Sequence, residues 1–408
     1  MQDGILSAML VSVAIHCKSL TRSGTVIIAG LLAAASPSCR TVKFYTQAAR
    51  GQWEILHKAQ PIDTVRQDPK TPADTKKRLD EVTAVRVFAS SHLGLKTDGQ
   101  YDRYADLGRP YVVWVVFATP EFSMEPKTWW YPMLGSLAYR GYFNEADARA
   151  EAARLRKQGL DVFGGGVDAY STLGWFRDPV LNTFLRRDEA DLAELIFHEL
   201  THQRIYFSGD IDFNEALATA VGREGVRRWL RSEGRTKDLR DYISSQAVED
   251  RFIAAALATR EELRQLYADE AHAAREELRI KKAAVYAKLK RKAMAMVNGK
   301  SAQAAIEKWF SKSVNNARLN SLSSYYDLVP AFDRLLAKHA GDLEAFFNDL
   351  SKLKRHSPAE RRHALGLPLD EATSRSHTPH TTPAKSRPAA VPVAGRVSAV
   401  ASPPSHSP

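Results

Sequence analysis

The stretch from His198 to His202 constrains this chain more than any other part, because it reads H-E-x-x-H. Two histidines four residues apart lie about 40° apart around a helix axis, so both imidazoles point to one side. This spacing lets both rings reach one zinc ion, and it places Glu199 between them to accept a proton from a water molecule. The motif therefore predicts a helix that binds a metal and supports hydrolysis.

The residues around the motif predict a buried helix. Asp188 is the predicted N-cap, and acidic residues follow it in the first turn, where the helix dipole favours them. Apolar residues then recur at helical spacing, namely Leu192, Leu195, Ile196 and Leu200. The sequence Ser208-Gly209-Asp210 is predicted to end the helix. Zincins carry the motif in such a helix; the alternative is a pair of ordinary histidines that neighbouring carbonyls satisfy.

A catalytic zinc ion needs a third protein ligand and one open position for water. No H-x-x-G-x-x-H sequence follows, so a third histidine of the metzincin type is absent. Glu215, thirteen residues after His202 at the start of the next predicted helix, is the predicted third ligand. Glu224 is the second candidate. Asp212 to Glu215 also fits a capping box, in which Glu215 would bind the backbone instead.

At these residues the chain resembles the bacterial "predicted aminopeptidase" family, a set of zinc peptidases often described as envelope lipoproteins. The most similar block is HELTHQRIYFSGDIDFNEALATAVGREGVRRWL, and the other matching blocks are YADLGRPY at 104–111, YRGYF at 139–143, AYSTLGWF at 169–176, NNARL at 315–319 and LVPAF at 328–332. The resemblance covers roughly residues 40 to 350. It implies a zincin-like metallopeptidase with one Zn²⁺ per chain and a peptide or protein substrate.

One departure from the family lies between residues 127 and 142. Relatives often carry two cysteines there, and Trp130 and Ser136 stand in their places in this chain. The corresponding disulfide cannot form, so the aromatic residues from Trp129 to Tyr131 are expected to stabilise this loop by packing.

Hydrophobic patterning predicts an α+β fold with a small mixed sheet and a mainly helical C-terminal half. Tyr111–Phe117 is the predicted central strand. Two further strands, 161–163 and 169–176, are predicted on either side of the glycines Gly164 to Gly166. The second of these either binds substrate by strand addition or belongs to the core. The predicted helices are 44–56, 76–95, 145–158, 213–230, a hairpin over 246–293, 302–310 and helices within 326–353.

The ends of the chain differ in composition from its middle. An apolar run, Val26–Ala35, follows Lys18 and Arg22 and leads to Cys39, so residues 1–39 are predicted to be an export signal. Cys39 lies where the family has its lipidated cysteine, which implies an exported protein on the periplasmic face of the cell envelope, anchored through Cys39. Residues 40–355 are the predicted peptidase domain, and the Pro/Ser/Ala-rich residues 356–408 are predicted to be disordered.

Cysteine and charge content narrow the remaining classes. Cys17 and Cys39 are the two cysteines, which excludes a disulfide framework and a cysteine-based zinc site in the domain. The net charge is +11, and Arg275–Lys300 holds nine Lys/Arg against two Glu. This segment predicts contact with an anionic membrane surface or simply a solvated helix face. No stacking motif or zinc-finger spacing accompanies it, so no nucleic acid partner is expected.

The predicted mechanism assigns Glu199 as the general base that takes the proton of the attacking water and passes it to the leaving amine. The oxyanion needs a second stabiliser. Tyr325 is the candidate for this role, with Tyr326 close behind, and either tyrosine equally fits a core residue.

The type of peptidase stays open at the level of sequence. An aminopeptidase needs a carboxylate for the free amine of its substrate, and Glu121, Glu125 and Glu224 all qualify. An envelope endopeptidase is therefore an alternative. A non-catalytic scaffold with a structural metal is another, although a structural site needs a fourth ligand and would make Glu199 dispensable.

Overall fold

The computed structural model describes residues 39–131, 135–169, 177–311, 314–322, 326 and 328–367. The strands are β1 (Gln60–Pro61), β2 (Arg103–Ala105), β3 (Val113–Pro120), β4 (Trp129–Tyr131), β5 (Gly135–Leu137), β6 (Tyr139–Tyr142), β7 (Leu160–Val167) and β8 (Val180–Leu181). The helices are α1 (Cys39–Lys58), α2 (Ile62–Gln67), α3 (Ala73–His92), α4 (Glu145–Lys157), α5 (Asn182–Leu185), α6 (Glu189–Arg204), α7 (Ile211–Ser232), α8 (Thr236–Asp269), α9 (Arg275–Ala295), α10 (Lys300–Ser311), α11 (Asn316–Asn320), α12 (Val329–Lys338), α13 (Leu343–Lys352) and α14 (Pro358–Ala364).

The largest sheet confirms the predicted central strand. β3 pairs antiparallel with β6 on one side and with β7 on the other, in the order β6-β3-β7. β3 is buried along most of its length because α4 and α11 pack against the sheet. A smaller sheet, β1-β2-β8, is mixed, since β2 is antiparallel to β1 and parallel to β8. These small sheets and the many helices together make an α+β fold.

The prediction for the glycine run Gly164–Gly166 is wrong. These glycines do not separate two strands but lie inside β7, opposite the middle of β3. A side chain at Gly166 would begin 2.2 Å from the ring of Tyr111, so the missing Cβ lets that aromatic ring cover the strand. The second predicted strand, residues 169–176, falls outside the described residues except for Ala169.

The β4-β5 hairpin brings together the two positions at which the resemblance implies cysteines in relatives. Trp130 and Ser136 are direct partners across the hairpin, so cysteines at these positions would lie on neighbouring strands. The expected aromatic packing is correct for Tyr131, which is buried beside Phe44. It is wrong for Trp130, whose side chain is 71% exposed because it points away from the core.

Two helix hairpins dominate the C-terminal half. The first, α6–α7, packs against α3 and α12 in the main core. The second, α8–α9, confirms the hairpin predicted over residues 246–293 and has two smaller apolar clusters of its own. It is joined to the sheet by Lys282, whose ammonium group lies 2.6 Å from Asp161 and donates to the carbonyl of Glu121.

The C-terminal boundary of the domain lies further along the chain than residue 355. The predicted disorder from residue 356 is wrong for its first part, because Pro358–Ala364 forms α14. Ser357 and Glu360 make a capping box there, and Arg361 is buried with its guanidinium 3.0 Å from Asp210. The rest of the predicted tail, from residue 368, lies outside the described residues, as does the predicted export signal up to residue 38.

No helix within the described ranges is long and apolar enough to cross a bilayer.

Candidate metal centre

The H-E-x-x-H motif lies on α6, one of the most deeply buried helices of the protein. Asp188 occupies the N-cap position as predicted, although its side chain makes no capping hydrogen bond. The helix ends at Arg204, four residues before the predicted stop at Ser208. Every residue from Leu192 to His202 is buried, because apolar residues surround the motif and neighbouring helices cover both sides. The polar motif residues therefore enter the core because of where their helix packs.

Two glycines of α7 bring it close to the motif helix. A Cβ atom at Gly222 would lie 3.0 Å from the carbonyl oxygen of Glu194 and 3.4 Å from the Cβ of His198. At Gly225 it would lie 2.6 Å from the ring of Phe197. Larger residues at these positions would push the two helices apart, so the glycines fix the distance across which a side chain of α7 can reach the histidines.

The turn between α6 and α7 is held by one side chain that the sequence analysis missed. The amide of Asn214 accepts a hydrogen bond from the backbone N–H of Phe207 and donates to the carbonyls of Phe207 and Asp210 at 2.7 and 2.8 Å. The buried pair of Arg361 and Asp210 holds the same turn from outside. The signal for Asn214 was its place beside Glu215 in the most specific family block.

Glu215 faces the two histidines. Its Oε2 lies 3.4 Å from Nε2 of His198, and its Oε1 lies 3.8 Å from Nε2 of His202. The two Nε2 atoms are 3.3 Å apart, and one ligand atom from each of the three residues falls within 4.8 Å of the others. The capping-box alternative does not hold, since α7 begins at Ile211 after the N-cap Asp210. Within the described ranges this is the one such group of His, Cys, Asp and Glu side chains.

The electrostatics of the group suit a cation. Burial lowers the pKa of His202 to about 3, so this imidazole is neutral with a lone pair available at neutral pH. Burial likewise raises the pKa of Glu215, which the nearby His202 partly opposes. Oε2 of Glu215 is buried and makes no hydrogen bond within the described parts of the chain. Two imidazole nitrogens and a carboxylate that converge in this way fit a divalent metal ion.

Glu199 and Glu224 have different environments. Glu199 is 1% exposed and lies on the motif helix next to His198. Glu224, the second candidate ligand, is not part of the group. Its carboxylate lies 2.8 Å from Arg228 and 3.5 Å from Arg227, because it points along the outer side of α7 toward these arginines.

The tyrosine candidates for stabilising the oxyanion also differ in their positions. Tyr325 lies outside the described residues. Tyr326 is half-buried, and the guanidinium of Arg223 lies 5.7 Å from its ring centre. Tyr206 was missed: its ring centre lies 6.3 Å from that of His202, and burial together with the charge of Glu215 raises its pKa. Its spacing, four residues after His202, was the available signal.

A buried polar network supports the helix one turn before the motif. Glu194 accepts hydrogen bonds from the hydroxyl of Tyr242 at 2.5 Å and from the amide of Gln246 at 3.3 Å, which ties α6 to α8. Arg223 of α7 lies 2.8 Å from Asp250 of α8. These contacts restrain α6 and α7 against α8 and so limit how far the ligand side chains can move apart.

Comparison with known proteins gives one match. No curated protein and no solved structure matches the chain. The sequence model of the family described as "Putative aminopeptidase" matches residues 43–365, which is most of the chain and includes the histidines and Glu215. The match ends at residue 365, directly after α14, so it also supports the later domain boundary. The chain therefore belongs to the putative aminopeptidase family.

Proposed function

We propose that this protein is a zinc-dependent peptidase that acts as an aminopeptidase at the cell envelope. The observation that carries the proposal is the buried group of His198, His202 and Glu215, with Glu199 on the same helix. Family membership supports peptidase chemistry in general, without specifying the metal or the substrate. The group contains three residues of the described chain, which suits a catalytic site with an open position better than a closed structural site with four ligands.

The three side chains would hold the zinc ion through two imidazole nitrogens and one carboxylate. Bound zinc would lower the pKa of water at the open position to about 7 and polarise the carbonyl of the scissile bond. The apolar surroundings keep His202 neutral and so ready to bind a cation. The same surroundings strengthen every charge interaction in the site, because little water is present to screen it.

Glu199 would accept the proton of the attacking water and donate it to the leaving amine. A tyrosine hydroxyl would donate a hydrogen bond to the oxyanion that develops on the substrate carbonyl. Tyr325 remains the proposal from the sequence. Tyr206 is a further candidate, since its ring lies beside that of His202 and a phenol is protonated, and therefore a donor, at neutral pH.

An endopeptidase is the second candidate, and the positions of the three proposed amine-binding carboxylates favour it. Glu121 lies 2.7 Å from both Arg275 and Arg279, and Glu224 is paired with Arg228. Glu125 is exposed, where water screens its attraction for an ammonium group. Exopeptidase activity therefore needs an amine-binding group other than Glu121 or Glu224.

The envelope location stays a proposal that rests on the apolar run before Cys39 and on the family resemblance. The proposed contact of Arg275–Lys300 with an anionic membrane is weaker than its charge suggests. Five of its nine basic residues form ion pairs with acidic side chains, namely Arg275, Arg279, Lys281, Lys282 and Lys288. Only the remaining cations of the segment are left to attract lipid. No nucleic acid partner is proposed.

The test is metal content together with peptide hydrolysis for the full chain and for Glu199→Gln. One zinc ion in both proteins, with cleavage only by the unsubstituted chain, is the expected result. A matched pair of peptides, one with a free and one with an acetylated amino terminus, then separates the two candidates. Cleavage of the free peptide alone supports the aminopeptidase, and equal cleavage of both supports the endopeptidase. A chain without zinc would overturn the ligand assignment.

A further inference from the structure

A cavity lies on α1, formed together with the start of α4 and the segment that precedes β3. Its volume is about 560 Å³, its charged side chains are Lys43, Arg50, Glu54, Arg109 and Asp147, and its amide side chains are Gln47 and Asn144. None of these residues belongs to the His-His-Glu group. The cavity is therefore a separate concave site with several groups that can form hydrogen bonds.

The acids that line the cavity already have basic partners. Asp147 lies 2.6 Å from the ammonium group of Lys43. Glu54 lies 2.7 Å from Arg109 and 3.1 Å from Lys58. A cationic ligand would have to displace these internal cations, so the acids do not make this a cation site.

Unlike the acids, several hydrogen-bond donors of the cavity have no partner within the described residues. Arg109 uses Nη1 for Glu54, whereas its Nε and Nη2 are buried and make no hydrogen bond within the described residues. Those two nitrogens form the edge of a guanidinium that binds two oxygens of a phosphate or carboxylate side by side. Gln47 accepts from the backbone of Phe143, and its buried Nε2 likewise has no acceptor in the described chain.

The remaining cation, Arg50, is exposed at the cavity, and no ion pair joins it to an acid of the described residues. Three cations and two acids line the site, so the lining carries one excess positive charge. The cavity also includes Asn144, the N-cap of α4, where the first N–H groups of a helix favour an anion. What this site lacks is an anionic acceptor.

The neighbouring face of α1 is apolar and open to solvent. Val42, Trp53 and Leu56 are 52%, 63% and 38% exposed. At 100° per residue these three side chains fall within a stripe about 60° wide, and Arg50 projects about 60° from Trp53 toward the cavity side. The exposed apolar stripe therefore borders the face of α1 that lines the cavity. In the sequence, the apolar run Val26–Ala35 precedes this same helix by three residues.

We propose that this cavity binds the phosphate of an anionic phospholipid headgroup, with the apolar stripe of α1 against the acyl region. Arg109 and Arg50 supply the charge and the paired donors for the phosphate oxygens. Val42, Trp53 and Leu56 supply apolar area beside it, as amphipathic helices do at membrane interfaces. A freely soluble phosphate would use the cavity but would gain nothing from the exposed tryptophan. The site does not depend on the proposed peptidase activity.

The experiment measures binding of dihexanoyl phosphatidylglycerol, below its micelle concentration, to the full chain by calorimetry. Glycerol phosphate and dihexanoyl phosphatidylcholine are the two comparison probes. We expect phosphatidylglycerol to bind most tightly, and Arg50→Glu to weaken it by about tenfold or more. Arg109→Lys keeps a cation beside Glu54 but removes the paired edge, and it should weaken binding as well.

Lys96→Glu is the matched control, because Lys96 is exposed, has no ion pair among the described residues and does not line the cavity. It should leave lipid binding unchanged, and an unchanged unfolding temperature shows that each variant is folded. Equal binding by the unsubstituted chain and Arg50→Glu would overturn the proposal. Glycerol phosphate that binds as tightly as the lipid would overturn the lipid as occupant, as would equal binding of phosphatidylcholine. Zinc content and peptide cleavage report separately on the peptidase proposal.

Discussion

The two helix hairpins of the C-terminal half use their charged residues in opposite ways. In α8–α9 most of the ion-paired cations of Arg275–Lys300 meet an acid near the surface, for example Lys288 and Glu262 at 2.9 Å. In α6–α7 the motif residues and Glu215 are buried, and Glu215 faces two histidines, of which His202 is neutral because of its burial. Surface pairs contribute little to stability and demand no ligand. A buried carboxylate without a cation is costly, so α6–α7 is the hairpin in which a bound metal would offset that cost.

The largest expected effect tests whether the α6–α7 hairpin binds a metal through Glu215. Glu215→Ala removes one of the three proposed ligand side chains, so zinc binding should weaken by more than about 100-fold. Loss of a residue that merely supports a ligand costs about 10- to 100-fold. Peptide cleavage should be lost with it. Glu224→Ala on the same helix is the control and should retain one zinc ion per chain, because Glu224 pairs with Arg228 instead. Full zinc occupancy in Glu215→Ala, measured by atomic absorption, would remove Glu215 from the site.

The second prediction concerns the turn that positions Glu215. Asn214→Ala removes three hydrogen bonds to buried backbone groups, so the free energy of unfolding should fall by about 2–4 kcal/mol. Zinc affinity should fall too, since the turn sets the start of α7. Asn298→Ala, at an exposed position, is the control and should change stability by less than about 0.5 kcal/mol. A urea titration of both variants measures the difference; equal stabilities would show that the turn is held by other contacts.

The third prediction tests whether the close approach of α6 and α7 matters. Gly222→Ala places a Cβ atom 3.0 Å from the carbonyl of Glu194, a backbone atom that cannot rotate away. Crowding should cost more than the gain in helix propensity, so stability should fall by about 1–2 kcal/mol. Ala254→Leu on the exposed side of α8 should change it by less than about 0.5 kcal/mol. Thermal unfolding measures both, and a stabilised Gly222→Ala protein would mean that the helices can separate without cost.

The smallest effect belongs to the surface hairpin. Lys288→Ala breaks the pair with Glu262, in which the lysine side chain is 48% exposed, so stability should fall by less than about 1 kcal/mol. The difference from the unsubstituted chain should shrink further in 1 M salt, because salt screens exposed charges. A loss of several kcal/mol in urea titrations would show that the α8–α9 hairpin depends on its ion pairs, which would end the contrast between the two hairpins.

Sequence by itself determined those features that depend on neighbouring residues. The apolar stripe and the acidic first turn determined α6, the run of β-branched and aromatic residues determined β3, and helical periodicity determined the α8–α9 hairpin. The spacing within H-E-x-x-H placed both histidines on one side of α6 because helix geometry is local.

Tertiary structure alone decided which carboxylate completes the group. Asp212 to Glu215 fitted a capping box equally well in the sequence, and Glu224 lay on the same helix. Only the packing of α7 on α6 through Gly222 and the turn held by Asn214 brought Glu215 to the histidines, while Arg228 engaged Glu224. The strand through Gly164–Gly166 was decided in the same way, by Tyr111 over the glycines. Such contacts join residues distant in sequence, and periodicity and capping patterns carry no information about them.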